Sequence, residues 1–250
     1  MYFIDVICAI GEPMRSERYS TAEGLLQWLD KYQIDCALAY HSEAMREPEM
    51  GNALMAQAAA ASGGRLKTCF VLNPSLESLG IPGEGTPLER LNKHRPSAVR
   101  IFPGEQLYPF DTFYAEEILT LCQQLRLPLI VDCPYDNVFL TQLPQVCRAY
   151  PDVPIILLRF LYNRSRQYMP ILRKLPNVYL DMSTHIDVGG MEEVVRRFGS
   201  EHLLFGSGLP VYEPSGALGL LLYAQISDAD RENIASGNFL RLEGGIRYDD

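Results

Sequence analysis

The sequence is short of basic residues. Its 22 Lys and Arg stand against 31 Asp and Glu, a formal charge of −9, whereas nucleic-acid binding needs clustered basic side chains to neutralise phosphates. The densest basic stretch, Arg159 to Arg173 with Arg164 and Arg166, is interleaved with apolar and aromatic residues. That pattern reads as a solvated or substrate-facing loop, and no nucleic-acid partner is expected. Long apolar runs are also lacking: none approaches the ~18 residues of a membrane span. The opening Met1-Tyr-Phe-Ile-Asp-Val-Ile enters a strand pattern without a basic leader, so a cytoplasmic protein with no membrane partner is expected. The six cysteines, at 8, 36, 69, 122, 133 and 147, form no C-x-x-C. They fit neither a disulfide framework nor a zinc knuckle, and most read as small buried hydrophobes. Gly11 follows the first strand pattern without a G-x-G-x-x-G, so no dinucleotide cofactor is expected. Histidine is scarce, with 4 in 250 residues.

What is present is a globular composition, 47% hydrophobic and 21% charged, long enough for one large core. Short apolar runs alternate with amphipathic ones throughout, and no linker or low-complexity break divides them. The strand patterns fall at 2–8, 36–40, 67–72, 98–102, 128–131, 155–158, 178–181 and 203–205. Helical patterns fall at 21–32, 49–61, 87–94, 112–125, 140–149, 167–174, 191–198, 217–225 and 229–235. The first helix is announced by Ser20-Thr-Ala-Glu23, which has the form of a capping box, and by the stripe Leu25, Leu26, Leu29. Eight strands with crossover helices in 250 residues predict a single-domain (β/α)8 TIM barrel over residues 1–250. Nothing in this pattern excludes a homo-oligomer.

In such a barrel the chemistry lies where strands end and βα loops begin. Those positions carry Ile7-Cys8-Ala9, Tyr40-His41, Asn73, Arg100, Asp132-Cys133, Arg159, Asp181 to His185, and Ser207-Gly208. His94 and His202 fall elsewhere and are expected on the surface. His185 and His41 are candidate proton carriers because histidine titrates near neutrality, with Asp132 and Asp181 as further candidates. Each has a bland alternative in a hydrogen-bonded structural role. Alternation along the first strand turns Cys8 away from Ile7 and out of the barrel, which argues against a cysteine nucleophile.

Three segments carry a resemblance. The start Phe3-Ile-Asp-Val-Ile-Cys-Ala-Ile-Gly11, the late Leu203-Leu-Phe-Gly-Ser-Gly-Leu-Pro210 and the ending Ile226-Ser-Asp-Ala-Asp-Arg-Glu-Asn-Ile-Ala-Ser-Gly-Asn238 are similar to the amidohydrolase-related (amidohydrolase 2) branch of the metal-dependent hydrolases. The resemblance implies a TIM barrel and a divalent metal held by H-x-H on the first strand, histidines ending the fifth and sixth, and an aspartate ending the eighth. The corresponding residues are Ile7, Ala9, Asp132, Arg159 and Gly208, so no metal or other cofactor is expected.

Arg100 and Arg159 would then meet in one mouth with Asp132 between them. One reading is an internal Arg-Asp-Arg network that keeps a vacated site satisfied, since buried charges persist only when paired. The other is recognition of a small anionic molecule, for which guanidinium supplies planar bidentate donors; Asn73 and Ser207 join the arginines as candidate binding residues. Two function classes follow: a metal-independent hydrolase or carbon–carbon lyase acting on a small anion, or a non-catalytic pseudoenzyme that binds one.

Overall fold

The computed structural model describes residues 1–12, 21–132, 137–159, 165–183 and 189–249. Eight parallel strands run in sequence order: β1 (Ile4–Ile10), β2 (Cys36–His41), β3 (Leu66–Val71), β4 (Ala98–Ile101), β5 (Leu129–Val131), β6 (Ile155–Leu157), β7 (Val178–Asp181) and β8 (Leu203–Leu204). The ring returns to β1 where Val6 N–H donates to the Phe205 carbonyl at 3.0 Å. Between and after the strands lie α1 (Ala22–Tyr32), α2 (Pro48–Ala61), α3 (Pro87–His94), α4 (Glu116–Leu125), α5 (Asn137–Ala149), α6 (Ser165–Lys174), α7 (Gly190–Phe198) and α8 (Ser215–Tyr223). The architecture is the single TIM barrel that the alternation of elements predicts.

The core has two shells. Inside the ring Ile4, Leu38, Val71, Ile130, Ile156 and Leu204 pack together; outside it, side chains such as Ile10, Val99 and Leu129 meet the helices through Leu25, Met55 and Leu119. A bulge adds one residue to β1 between Asp5 and Cys8, and it lets the consecutive Val6 and Ile7 both join the interior cluster. Ile7 and Ala9 consequently point inward while Cys8 packs on the helix side.

Several boundaries differ from the periodicity, each for a local reason. The first strand begins and ends two residues later than its pattern, because Tyr2 is exposed and the bulge carries pairing on to Ile10. The helix expected from 112 starts at Glu116, since Asp111 accepts the Phe113 and Tyr114 N–H groups in a turn of its own. The closing helix expected at 229–235 is instead α9 (Asp228–Glu232), a π-type stretch at Asn233–Gly237, and a further helix, α10 (Asn238–Gly244). Asn238 anchors α10 by donating from Nδ2 to the Ser200 and Leu203 carbonyls, both at 2.7 Å. Phe239 and Leu242 then reach the interior cluster, and Glu243 takes Lys67 Nζ at 2.8 Å. Together they cover the end of the barrel opposite the strand C-termini. Capping is well formed at α3, where Thr86 and Glu89 make a reciprocal box. Among the described residues no helix is long and apolar enough to cross a membrane.

Candidate functional site

At the strand C-termini a cavity of about 240 Å³ is lined by Ile7, Ala9, Arg100, Asp132, Arg159 and Gly208, with Tyr40, Phe102 and Tyr212 adding aromatic surface. All five positions to which the resemblance assigns metal ligands therefore border one cavity. Arg100, at the end of β4, is only 3% exposed. Its guanidinium carbon lies 4.4 Å from the Tyr40 ring centre and 4.8 Å from that of Phe102, a cation–π arrangement. Its Nη2 donates to Asp132 Oδ2, while its buried Nε has no acceptor among the described residues. Asp132 follows β5 directly, with its own N–H on the Ile101 carbonyl at 3.0 Å. Arg159, two residues past β6, donates from Nη2 to Asp132 Oδ1 at 2.7 Å and Oδ2 at 2.6 Å.

Two guanidiniums thus converge on one carboxylate. Burial alone would raise the Asp132 carboxyl, but Arg100 and Arg159 overcome it and hold the group below the ordinary carboxylate range. Both arginines are held protonated by the same carboxylate against the pull of burial. The trio carries a net positive charge. Arg159 is its accessible member, with a side chain 33% exposed against 4% for Arg100.

Arg159 has a left-handed backbone, φ 55°, which is uncommon for a residue with a side chain. Its N–H donates to Asp181 Oδ1 at 2.5 Å, so the fully buried carboxyl at the end of β7 holds this turn. Burial pushes the Asp181 carboxyl up, with hydrogen bonds from Ser183 and the Arg159 backbone opposing. Gly206 permits the close packing here, since a Cβ on it would stand 2.6 Å from Ile7 Cγ2 and 2.9 Å from Asp181 Oδ2. Asp181 therefore lies behind the cavity wall and supports Arg159 from there.

The other residues singled out in the sequence are spread out. Ser207 is buried and serves Asp5: its hydroxyl donates to Asp5 Oδ2 and its N–H to Oδ1 at 3.0 Å, which joins the last strand's end to the first. Asp5 is wholly buried and its carboxyl is pushed up by that burial. Asn73 Oδ1 accepts Ser75 N–H at 3.0 Å and Ser75 Oγ at 2.7 Å, folding its own loop away from the cavity lining. His41 is half-buried, and its Nδ1 accepts the Glu43 N–H at 3.2 Å, capping a one-turn 3-10 helix at Ser42–Met45. Burial lowers its pKa, which suits a ring nitrogen used as an acceptor. His94 and His202 are half-buried rather than surface residues, each bonded to a backbone carbonyl, Pro82 and Val178 respectively. His185 and Cys133 lie outside the described residues. Cys8 is buried, and that burial drives its thiol well above the ordinary range, the opposite of an activated nucleophile. Of the cavity residues, Phe102, Glu105 and Tyr212 are not singled out by the sequence reading; Phe102 directly follows β4, two residues past Arg100, and Tyr40, placed at the end of β2, is given no role there.

A divalent metal does not fit the residues described at this mouth. Ile7 and Ala9 carry no donor atom, Gly208 has no side chain, and a guanidinium has no lone pair to give. Asp132 has both oxygens engaged by arginine. Among the described residues no group of three or more His, Cys, Asp or Glu is placed to hold a metal.

No curated protein matches the chain in sequence. Among solved structures it is similar to an uncharacterised TIM-barrel protein of Bordetella bronchiseptica, with TM-score 0.78, 15% identity and 98% and 99% of the two chains covered. It is also similar to 5-carboxyvanillate decarboxylase of Sphingomonas paucimobilis, with TM-score 0.75, 14% identity and 98% and 99% covered. A third is dihydroxybenzoic acid decarboxylase of Polaromonas sp. JS666, solved with manganese and the inhibitor 2-nitroresorcinol, with TM-score 0.75, 14% identity and 97% of each chain covered. At such identities these are likenesses of fold. The sequence itself matches the amidohydrolase (amidohydrolase 2) family model over residues 34–242, more than four fifths of its length, and the chain belongs to that family.

Proposed function

We propose that the barrel mouth binds a small anionic molecule through Arg159 and Arg100, and that the protein is a hydrolase or carbon–carbon lyase working without a metal. The observation that carries this reading is the pairing of two guanidiniums with a single carboxylate. Within that trio one positive charge is left over beside a cavity whose lining also includes Glu105, and Arg159 is exposed enough to offer it to a carboxylate or phosphate. Proton transfer in this reading falls to His185, with His41, Asp132 and Asp181 as the other carriers named from sequence. Asp132, the one of them that lines the cavity among the described residues, is kept ionised by its arginines and is a weak base there. That same observation favours the second reading, a non-catalytic protein that binds the anion and returns it unchanged.

The test is thermal unfolding with millimolar dicarboxylates and sugar phosphates. A ligand at about 100 times its Kd stabilises by ~2.7 kcal/mol, which for a chain of this size is a rise of roughly 5–10 °C in Tm. Arg159→Met should abolish the response. An unresponsive wild type across the panel overturns the anion reading, and about one equivalent of zinc, manganese or iron surviving dialysis overturns the metal-free one. Between the two classes, His185→Asn should lower kcat about 10²-fold or more with anion binding intact if the protein is an enzyme.

A further inference from the structure

Past β8 the chain runs Phe205-Gly-Ser-Gly208 along the mouth and turns back on itself. Val211 and Tyr212 both donate their N–H groups to the Gly208 carbonyl, at 2.9 and 3.0 Å. This tight turn brings the Tyr212 ring onto the Cα of Gly208. A Cβ there would stand 2.6 Å from Tyr212 Cδ2 and 3.4 Å from Tyr212 Cβ, and the first of these separations is one that real Cβ atoms do not show. Gly208 also has φ +82°, where glycine is at ease and other residues are strained. Ring and glycine both line the cavity that Arg100, Asp132 and Arg159 border.

Among the described residues, the cavity's other aromatic side chains are committed elsewhere. Tyr40 and Phe102 are 7% and 3% exposed and their rings hold the Arg100 guanidinium, so altering them would unsettle the charge network. Tyr212, 49% exposed and carried on a loop, can change without touching that network. A rigid strand frame with an adjustable loop side chain is how barrels set which molecule they accept.

We propose that Tyr212 is the specificity-determining wall of the mouth, limiting the bulk of the bound molecule, and that its ring is seated against the Cα of Gly208, where any side chain would meet it. The proposal rests on the anion-binding reading above and adds the residue that selects among anions.

Two measurements test it. The first is a double-mutant cycle of Gly208→Ala and Tyr212→Ala read by Tm. Backbone strain at position 208 is common to both backgrounds, so the cycle isolates the ring contact. Gly208→Ala should lower Tm by several degrees more with Tyr212 present than with alanine at 212. A Gly208→Ala protein that folds only when Tyr212 is also removed is the same result in its strongest form; additive shifts overturn the packing claim. The second compares oxalate, malonate, phthalate and naphthalene dicarboxylates as ligands. Tyr212→Ala should raise affinity for the bulky anions relative to the small ones at least tenfold, with binding still lost on Arg159→Met. Unchanged size preference in a protein that does bind the small anions overturns this inference alone. A wild type that binds none of them overturns the anion reading and this inference with it.

Discussion

Replacing Asp132 by Asn probes the charge network directly. The side chain keeps its shape but loses its charge, and two guanidiniums are left facing each other without a counterion. Arg100 cannot escape to water at 3% exposure, and breaking a buried pair on one side typically costs ~3–5 kcal/mol. The Asn carbonyl still accepts one of the arginines, so a loss of about 3 kcal/mol is expected. Removing Arg159 is a different perturbation. Arg100 Nη2 still holds Asp132 when Arg159 is gone, and Arg159 is a third exposed, so Arg159→Met should cost only about 1 kcal/mol. The assay is urea unfolding at pH 7 for both variants, comparing midpoints at unchanged m. The pH dependence supplies a second check. The folded-state pKa of Asp132 is depressed below its unfolded value, so its contribution is present above about pH 4 and is lost as pH falls through the folded value. Wild type and Asp132→Asn should therefore begin to converge below about pH 5. A deficit under about 1 kcal/mol at pH 7, a deficit equal to that of Arg159→Met, or one that does not shrink in acid would refute the reasoning.

His41 gives the opposite kind of titration. Its folded pKa is depressed, so the unfolded chain takes up the proton first, and stability should fall as pH drops below about 6.5. NMR titration should place the ring below that value, and His41→Asn, which keeps a capping acceptor, should remove this part of the acid sensitivity. Ser207→Ala deprives the buried Asp5 carboxyl of its hydroxyl donor and Leu209 N–H of its acceptor, so a loss of about 1–3 kcal/mol in urea unfolding is expected. The Tm response to anions should survive that change, because Ser207 serves the strand seam; loss of the anion response with stability intact would return Ser207 to the binding site.

Periodicity recovered the eight strands because a barrel needs each of them buried on both faces, and runs such as Ile155-Ile-Leu157 carry that demand in three residues. It located the start of α3 because Thr86, Pro87 and Glu89 cap it locally, and its end falls where Arg95 turns left-handed with its N–H on the Leu91 carbonyl. It missed α10, whose reason for existing is tertiary: Asn238 ties to carbonyls near β8 and Phe239 fills the barrel's far end. The site divides along the same line. Arg100, Asp132 and Arg159 were legible because strand ends in a barrel converge. The work done by Ser207 was not, since its partner Asp5 lies 202 residues away in sequence; Asn73 and His41 turn instead to neighbours two residues on, Ser75 and Glu43, a local alternative to a binding role that residue type alone does not reveal.

The cavity residues also constrain one another, which bears on how far the site stands from a metal centre. A dication about 5 Å from a guanidinium is repelled by roughly 7 kcal/mol at an effective dielectric near 20, and among the described residues this mouth has two guanidiniums. Asp132, the one carboxylate between them, is already shared. Restoring a donor at 208 by Gly208→Asp would drive its Cβ into the Tyr212 ring, and donors at 7 and 9 would replace side chains that pack in the barrel interior. No single reversion changes the sign of the field, so Gly208→Asp or Ile7→His alone is expected to unsettle the fold without gaining metal affinity. On the proposed reading the positive charge is carried by the chain itself, fixed in place by Asp132 from the side and by Asp181 through the Arg159 backbone. Such a charge can orient and stabilise an anion but cannot accept a lone pair. On that same reading, the chemistry proposed here develops negative charge where guanidinium N–H groups can meet it.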